Sequence, residues 1–480
     1  MLQIRERIDN LPCSKLPSQL ESQPMRCLSF TFIFLFAYGF WCSPASAAPS
    51  QGDSNSPSLV IFEALRQAVE DNYPVLEFVG WQGNRWNPEF RAKIAAAPTS
   101  EAAFQLMDEY VCRLNDYHTR LSWPGKPSLA TPACQLEPVL IATNPPPDHG
   151  IWAKMRPPVE LPPINGISIA VLQAEKETGL QAGDEILSVD GVHIIDALAR
   201  AWRHSVGCSV GGKLLSATSR ILQGPADREV QIEVRRQVAH GRGELLTLTV
   251  PRSTNVVHRV VSTREVESVP VIRIPRWAND GDHNLVNDFD KALDAARKSP
   301  GLIIDVRKNG GGQDEIADQI IGRFIKAPVF SSDSFARLVP GKTYERRLFI
   351  TEPRGPWRYE GRVAVLTDEG CMSACEHFVS GMIEAGALTC GTPTSGAGGW
   401  IRTVPLPGGV RLNISRTFPL HTGGIPSPQL GIAPHLWAPR TLAEVRAGED
   451  TALRTALRWI KSGDPLPLRL QPVAPFSQNE

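Results

Sequence analysis

One serine stands where a chain could do covalent chemistry. In Cys371-Met-Ser-Ala-Cys-Glu-His-Phe378 it follows the apolar run Val363-Ala-Val-Leu-Thr367 and the turn Asp368-Glu-Gly370. The pattern predicts a buried strand, a turn, and a helix from about Ala374 to Ala385, with Ser373 at its start. At such a point the free N–H groups of a helix and the positive end of its dipole converge on one hydroxyl. A serine so placed attacks a carbonyl if a base and an oxyanion site lie nearby. Without them it is an N-cap.

A second stretch supplies the oxyanion chemistry. Gly301-Leu-Ile-Ile-Asp-Val-Arg-Lys-Asn-Gly-Gly-Gly312 reads as a buried strand running into a glycine turn, with a helix from about Glu315 to Lys326. Glycines let backbone amides turn toward an anion without Cβ clashes. A phosphate loop would end in Gly-Lys-Ser/Thr, and this one does not. The turn is therefore read as half of an oxyanion hole, an amide of Gly310 or Gly311 (Gly311 is the assignment) joined by that of Ala374. Asp305 and Arg307 are expected to brace it.

The elements that position these residues fall into blocks. From Leu59 to Asn115 the pattern is helical, with Phe62, Leu65, Ala68 and Val69 on one face and Phe104, Met107, Val111 and Leu114 on another. Pro145 to Pro163 reads as a linker. A β-rich block follows from about Gly166 to Arg252, containing Gly179-Leu-Gln-Ala-Gly-Asp-Glu-Ile-Leu-Ser-Val-Asp-Gly191 and the alternating run Arg228-Glu-Val-Gln-Ile-Glu-Val-Arg235. From about Val269 onward strands and helices alternate as in an α/β domain.

The 480 residues leave room for two or three domains, and 50 basic residues balance 50 acidic ones. No whole-chain field points to nucleic acid or to an anionic membrane. Arg26, the apolar run Leu28 to Cys42 and Ala45-Ser-Ala47 read as a cleavable export signal over residues 1–47, with Met25 an alternative start. Fifteen or so apolar residues are short for a membrane span. Export places the remaining Cys112, Cys134, Cys208, Cys371, Cys375 and Cys390 in an oxidising compartment. Cys371 and Cys390 bracket the serine helix and Cys112 and Cys134 bracket His118, so both pairs are expected disulfides, although sequence alone does not fix pairing. No metal or cofactor is implied.

Asp305-Val-Arg-Lys-Asn-Gly-Gly-Gly312, Ser373-Ala-Cys-Glu376 and Gly391-Thr-Pro-Thr-Ser-Gly396, in that order behind a block resembling a PDZ domain, resemble the C-terminal-processing (tail-specific) serine peptidases. The resemblance implies a crotonase-like α/β peptidase core over 266–470, a PDZ domain over 165–253 that binds extended peptides by β-augmentation, and an N-terminal helical region over 56–160. Residues 471–480 read as a loose tail. The Ser/Lys branch of the family places its lysine where this chain has Ala397, and no lysine lies between Phe378 and Ile460. The chain is instead similar to the branch of the tricorn core and the chlamydial secreted protease, whose base is a histidine ahead of the PDZ domain. Leu114-Asn-Asp-Tyr-His-Thr-Arg120 resembles that motif, so His118 is the implied base. That branch also places a glutamate before a Gly-Ile/Val-x-Pro-Asp sequence, where this chain reads Pro426-Ser-Pro-Gln-Leu-Gly-Ile-Ala-Pro-His435. Pro428 takes the glutamate's place, and Gln429 beside it is the candidate to orient the imidazole, as an amide does in papain-like sites, with Asp116 the alternative. Glu376 is expected to belong to helix packing, and His377 and His435 to be surface or structural residues. The expected function is an exported serine endopeptidase acting on unfolded or peptide substrates. The alternatives are a degenerate peptide-binding relative and, more remotely, a binder of small apolar ligands.

Overall fold

Ser56 caps the first helix, its hydroxyl accepting the Leu59 N–H at 3.3 Å, and Pro57 opens the helical turn. This α1 (Pro57–Asn72) packs with α2 (Gly83–Ala95) and α3 (Ser100–Cys112) around the ring of Tyr110, which meets Phe62, Trp81 and Phe90 edge-on at 5.1–5.4 Å. Helices thus occupy most of residues 57–112. The computed structural model describes residues 56–74, 76, 81–141, 157–238, 243–252, 260–339, 343–420 and 431–468. The expected signal, most of the proline-rich linker, Gln429 and the 471–480 tail lie outside them.

After α3 the chain turns at Asn115, φ +53°, and forms the short β1 (Arg120–Ser122). The β-rich block follows: β2 (Cys134–Leu140), β3 (Ile167–Ala174), β4 (Glu185–Val189), β5 (Val192–His193), β6 (Val230–Gln237) and β7 (Gly243–Val250), with α4 (Ile194–Arg203) and α5 (Val210–Arg220). The strands run in the order β2-β3-β4-β6-β7, with β5 paired to β4. Trp202, Leu214, Val230, Ile232 and Val234 fill its core. The block's edge strand β2 comes from upstream of residue 165, within the stretch read as helical region and linker. Its alternation of Cys134 and Leu136 with Gln135 and Glu137 breaks at Pro138, too short a period to announce a strand.

The last block is a parallel sheet with one antiparallel edge. Strand β8 (Ser262–Val266) pairs antiparallel with β9 (Val269–Arg273), and β9, β10 (Gly301–Asp305), β13 (Arg362–Thr367), β14 (Leu388–Gly391) and β18 (Leu436–Trp437) run parallel. Parallel strands need crossovers, and the helices α6 (Leu285–Ala295), α7 (Asp314–Ile321) and α8 (Ala374–Glu384) supply them on one face. The short α9 (Leu442–Ala447) leads into α10 (Thr451–Ser462), which covers the other face through Leu453, Ala456, Leu457 and Ile460. Two hairpins project from this core. One pairs β11 (Val329–Val339) with β12 (Thr343–Thr351), and β17 (Thr417–Leu420) adds to β11. The other, β15 (Ile401–Pro405) with β16 (Arg411–Ser415), takes β1 onto its free edge. Leu406, Val410, Leu412 and Ile414 there share one core with the N-terminal helices. Among the described residues no helix is long and apolar enough to cross a membrane.

The disulfide expectation is corrected: all six cysteines are free. The sheet separates Cys371 from Cys390. Cys371 lies among the α6–α8 residues with its thiol on the Val306 carbonyl at 3.0 Å, while Cys390 faces α10 and the Ala452 carbonyl at 3.4 Å. Cys112 packs with Tyr117, Val206, Cys208 and Ala397, whereas Cys134 sits against the core of the β-rich block.

Candidate active site

Ser373 occupies the N-cap position of α8 but does not cap it, since its hydroxyl accepts no backbone N–H of the helix. Its backbone sits at φ +57°, ψ −126°, a region costly for a residue with a Cβ. Three contacts hold it there. Its N–H donates to the Ala397 carbonyl at 3.0 Å, and its own carbonyl accepts from the N–H groups of Glu376 and His377 at 2.8 and 3.2 Å. The hydroxyl is left half-buried on the wall of a cavity, with no hydrogen bond to any described residue.

The glycine turn is wired directly against it. Lys308, at φ +58°, donates its N–H to Asp368 Oδ1 at 2.8 Å, and the Asn309 side chain donates to the Ile274 carbonyl at 2.9 Å. The Met372 N–H donates to the Asn309 carbonyl at 3.1 Å. A Cβ on Gly311, φ +90°, would stand 2.7 Å from Ser373 Cβ, so no other residue fits there. One assignment changes. The Gly311 N–H is donated to Asn309 Oδ1 at 2.9 Å, whereas the amides of Gly310, Gly312 and Ala374 bond no described residue. Asp305 and Arg307 brace the turn as expected. Arg307 donates to Asp305 at 2.8 and 2.9 Å and to Asp450 at 2.8 and 3.0 Å. Burial alone would raise the Asp305 carboxyl, but the Arg307 charge outweighs it and holds the group below its ordinary range.

His118 lies on the loop between α3 and β1. Asp116, buried, accepts the His118 N–H at 2.9 Å and the Thr119 hydroxyl at 2.6 Å, and Thr119 in turn accepts the Ser415 N–H at 3.2 Å. The Tyr117 hydroxyl donates to the Gly212 carbonyl on α5 at 2.6 Å. The loop is thus fixed to β16 on one side and to the β-rich block on the other. Asp116 shapes the loop but does not hold the ring, because the buried Nδ1 has no described hydrogen-bond partner. Burial lowers the His118 pKa; the Asp116 charge opposes that and Arg120 adds to it.

His118 and Ser373 line one cavity of about 500 Å³, together with the 312–315 turn, His377 and the 398–401 loop. Sequence positions 255 residues apart in the chain therefore meet, although the hydroxyl and the imidazole make no hydrogen bond to each other in this state. Ala397 is buried at the position where the Ser/Lys branch carries its lysine. No lysine or arginine is among the described lining residues.

Three roles went further than the sequence reading. Glu376 is wholly buried, and its Oε1 accepts from the Thr394 hydroxyl at 2.6 Å and the Gly396 N–H at 2.7 Å. It thereby fixes the loop whose Ala397 carbonyl holds Ser373. Burial pushes its carboxyl up to about 7, against the pull of those hydrogen bonds. His377, one turn after Ser373, is buried and not a surface residue; its ring bonds Ser332 Oγ at 2.9 Å and Asp318 Oδ1 at 2.8 Å. His435 is buried too, its Nδ1 accepting the Thr389 N–H at 3.0 Å between β14 and β18. A polar residue three or four positions into a helix that begins at a nucleophile was the available signal for Glu376 and His377, since that spacing returns to the same helix face.

A parallel sheet, a serine on a strained turn into a helix, and an apposed glycine turn define a serine-hydrolase architecture. Residues 268–436 match peptidase family S41. The carboxy-terminal processing protease CtpB of Bacillus subtilis (strain 168) is 26% identical over 248 residues, which cover 50% of this chain and 45% of that protein. The match thus spans less than half the length of that curated relative. The structure of mature CPAF is similar over 85% of this chain and 99% of that one, with a TM-score of 0.63 at 14% identity. The mature CPAF complex with lactacystin gives 0.61 at 14% identity, over 85% and 98%. At that identity the likeness concerns the fold. The S41 match over residues 268–436, with the likeness to CtpB, supports a serine peptidase of the C-terminal-processing kind.

Proposed function

We propose that the chain is an exported serine endopeptidase that cleaves peptide or unfolded protein substrates. In this reading the Ser373 hydroxyl attacks the scissile carbonyl while His118 takes its proton and returns it to the leaving amine. The oxyanion meets the N–H of Ala374 and that of Gly310 or Gly312, in place of Gly311. Water then hydrolyses the acyl-enzyme with His118 again as base. Gln429 is assigned to orient the imidazole through its open Nδ1. The β-rich block over 165–253 is read as a PDZ domain that binds extended chains, the 266–470 segment as a crotonase-like core, and residues 1–47 as the export signal.

One observation carries the reading. The Ser373 hydroxyl sits at a positive φ with no described hydrogen-bond partner, facing the same cavity as the half-buried His118 imidazole. A serine kept only for structure would cap its helix. A serine-directed fluorophosphonate is expected to label the mature protein, and Ser373→Ala is expected to lose both the label and casein cleavage. Equal cleavage by the two proteins overturns the assignment. The open Nδ1 and Pro428 favour a second reading, a peptide-binding protein that cuts nothing. Peptide binding by wild type without labelling or cleavage selects it.

A further inference from the structure

The cavity that holds Ser373 continues past it, along one face of the β11–β12 hairpin. Ser332 and Phe349 are paired across that hairpin, as are Ser334 and Arg347. The Phe349 ring stands edge-on to His377 at 5.8 Å and to Trp400 at 6.3 Å, and the Trp400 ring is 43% exposed. Both ring nitrogens of His377 are engaged, so this wall is rigid. Opposite lie Asp314 and, at the rim, Glu315. Asp314 is half-buried and takes a hydrogen bond from the Trp400 side chain, but it forms no salt bridge with any described residue. Burial raises its pKa, helped by the neighbouring Asp318 and Glu315 and opposed by His377 and the Trp400 hydrogen bond. Trp400 already receives one cation from the outer side, where the Arg347 guanidinium, paired with Glu345, stacks 4.9 Å from the ring centre.

We propose that this cavity is the subsite for the substrate side chain next to the scissile bond, and that it selects lysine or arginine. The inference rests on Ser373 being the nucleophile. An aliphatic stem lies along Phe349 and Trp400, where apolar contact and cation–π attraction act together. The charged head reaches Asp314, with Glu315 and the Ser334 hydroxyl beside it, and supplies the charge that this carboxylate lacks. An acidic side chain would meet two carboxylates, and a small apolar one would leave Asp314 without a cation.

The test uses quenched peptides that differ only in Lys, Arg, Leu or Glu before the cut, with cleavage sites read by mass spectrometry. Lys and Arg peptides are expected to exceed Leu in kcat/KM by about tenfold or more, the value of one charged hydrogen bond. Asp314→Asn is expected to collapse that ratio, and Trp400→Leu, at an exposed position, to reduce it. Equal rates for Lys and Leu overturn the proposal, as does a Lys preference that survives Asp314→Asn. Calorimetry on Ser373→Ala separates this outcome from failure of the peptidase reading. Tighter binding of the Lys peptide than of its norleucine analogue, lost in Ser373→Ala/Asp314→Asn, supports the subsite even if wild type cuts nothing. Ser373-dependent cleavage with no Lys preference leaves the peptidase standing and removes the subsite.

Discussion

At the scale of single residues, the site stores cost where it needs geometry. Ser373 keeps a left-handed φ only because Ala397, Glu376 and His377 bond its backbone. Ser373→Gly relieves that strain and Ser373→Ala does not. Both variants should be inactive, yet the glycine protein should be more stable than the alanine protein by about 1 kcal/mol in urea unfolding. His118 titrates below its ordinary 6.5, chiefly through burial. Since the base must be neutral, kcat/KM should rise with pH to a plateau already reached at neutrality, with its midpoint below 6.5. A midpoint above 6.5 in the pH–rate profile rejects His118 as the base. Glu376 runs the other way. Its carboxyl is raised from 4.5 to about 7, so the fold holds a proton that the unfolded chain releases. Its contribution is full below about 4.5 and is lost as pH rises through about 7. Glu369 is raised as well, to about 8, so the comparison must be with a variant. Glu376→Gln keeps the acceptor for Thr394 and Gly396 and should lose less Tm than wild type between pH 5 and pH 8.

At the scale of elements, what was legible follows from how each element is stabilised. The strands β10 and β13 are buried on both faces, so their sequences are continuous apolar runs, and the glycine turn and serine helix after them could be placed within a few residues. The helix after the glycine turn starts at Asp314 but ends at Ile321, short of the Lys326 expected, as the chain leaves it for the β11 hairpin. Strands β11, β12, β15 and β16 are ribbons rich in Arg, Ser and Thr, whose sequences show no clear period. The subsite wall was therefore invisible in the sequence. The cysteine pairs failed for a related reason, because proximity along the chain says nothing about which face of a sheet a side chain takes. The glycine turn itself permits a sharp test. In Gly311→Ala the new methyl would lie 2.7 Å from both the Met372 carbonyl and Ser373 Cβ, at a φ that alanine avoids. The turn must shift, and with it any amide aimed at the oxyanion. Peptide cleavage should fall about a hundredfold or more, the loss typical of one oxyanion donor. In Tyr117→Phe, which removes only the 2.6 Å bond to Gly212, the effect should be confined to about 1 kcal/mol of stability and a smaller drop in kcat.

At the scale of the whole molecule, the β-rich block is joined to the glycine turn by charge. Glu137 on the edge strand β2 accepts Lys308 Nζ at 2.8 Å and Arg440 at 3.3 Å, and Lys308 is the positive-φ residue that opens the turn. Arg440 also approaches Asp450 at 3.7 Å, which closes a network with Arg307 and Asp305. Burial works against each carboxylate, but the facing cations win, holding Asp450 at about 2 and Glu137 below its ordinary range. Each carboxylate therefore adds stability above the unfolded pKa, and this is lost as pH falls through the lower folded value. Breaking such a pair from one side leaves a poorly solvated charge, whereas removing both partners does not. Glu137→Ala should accordingly cost about 3 kcal/mol near pH 7, and adding Lys308→Met should recover part of it. If the network also holds the turn, Glu137→Ala will lower kcat more than it raises KM, because the amides proposed for the oxyanion lie two to four residues beyond Lys308. A stability loss with kcat unchanged would show that the network only ties the blocks together. If the double variant costs the sum of the two single ones, Glu137 and Lys308 are not coupled, and the link between block and turn fails.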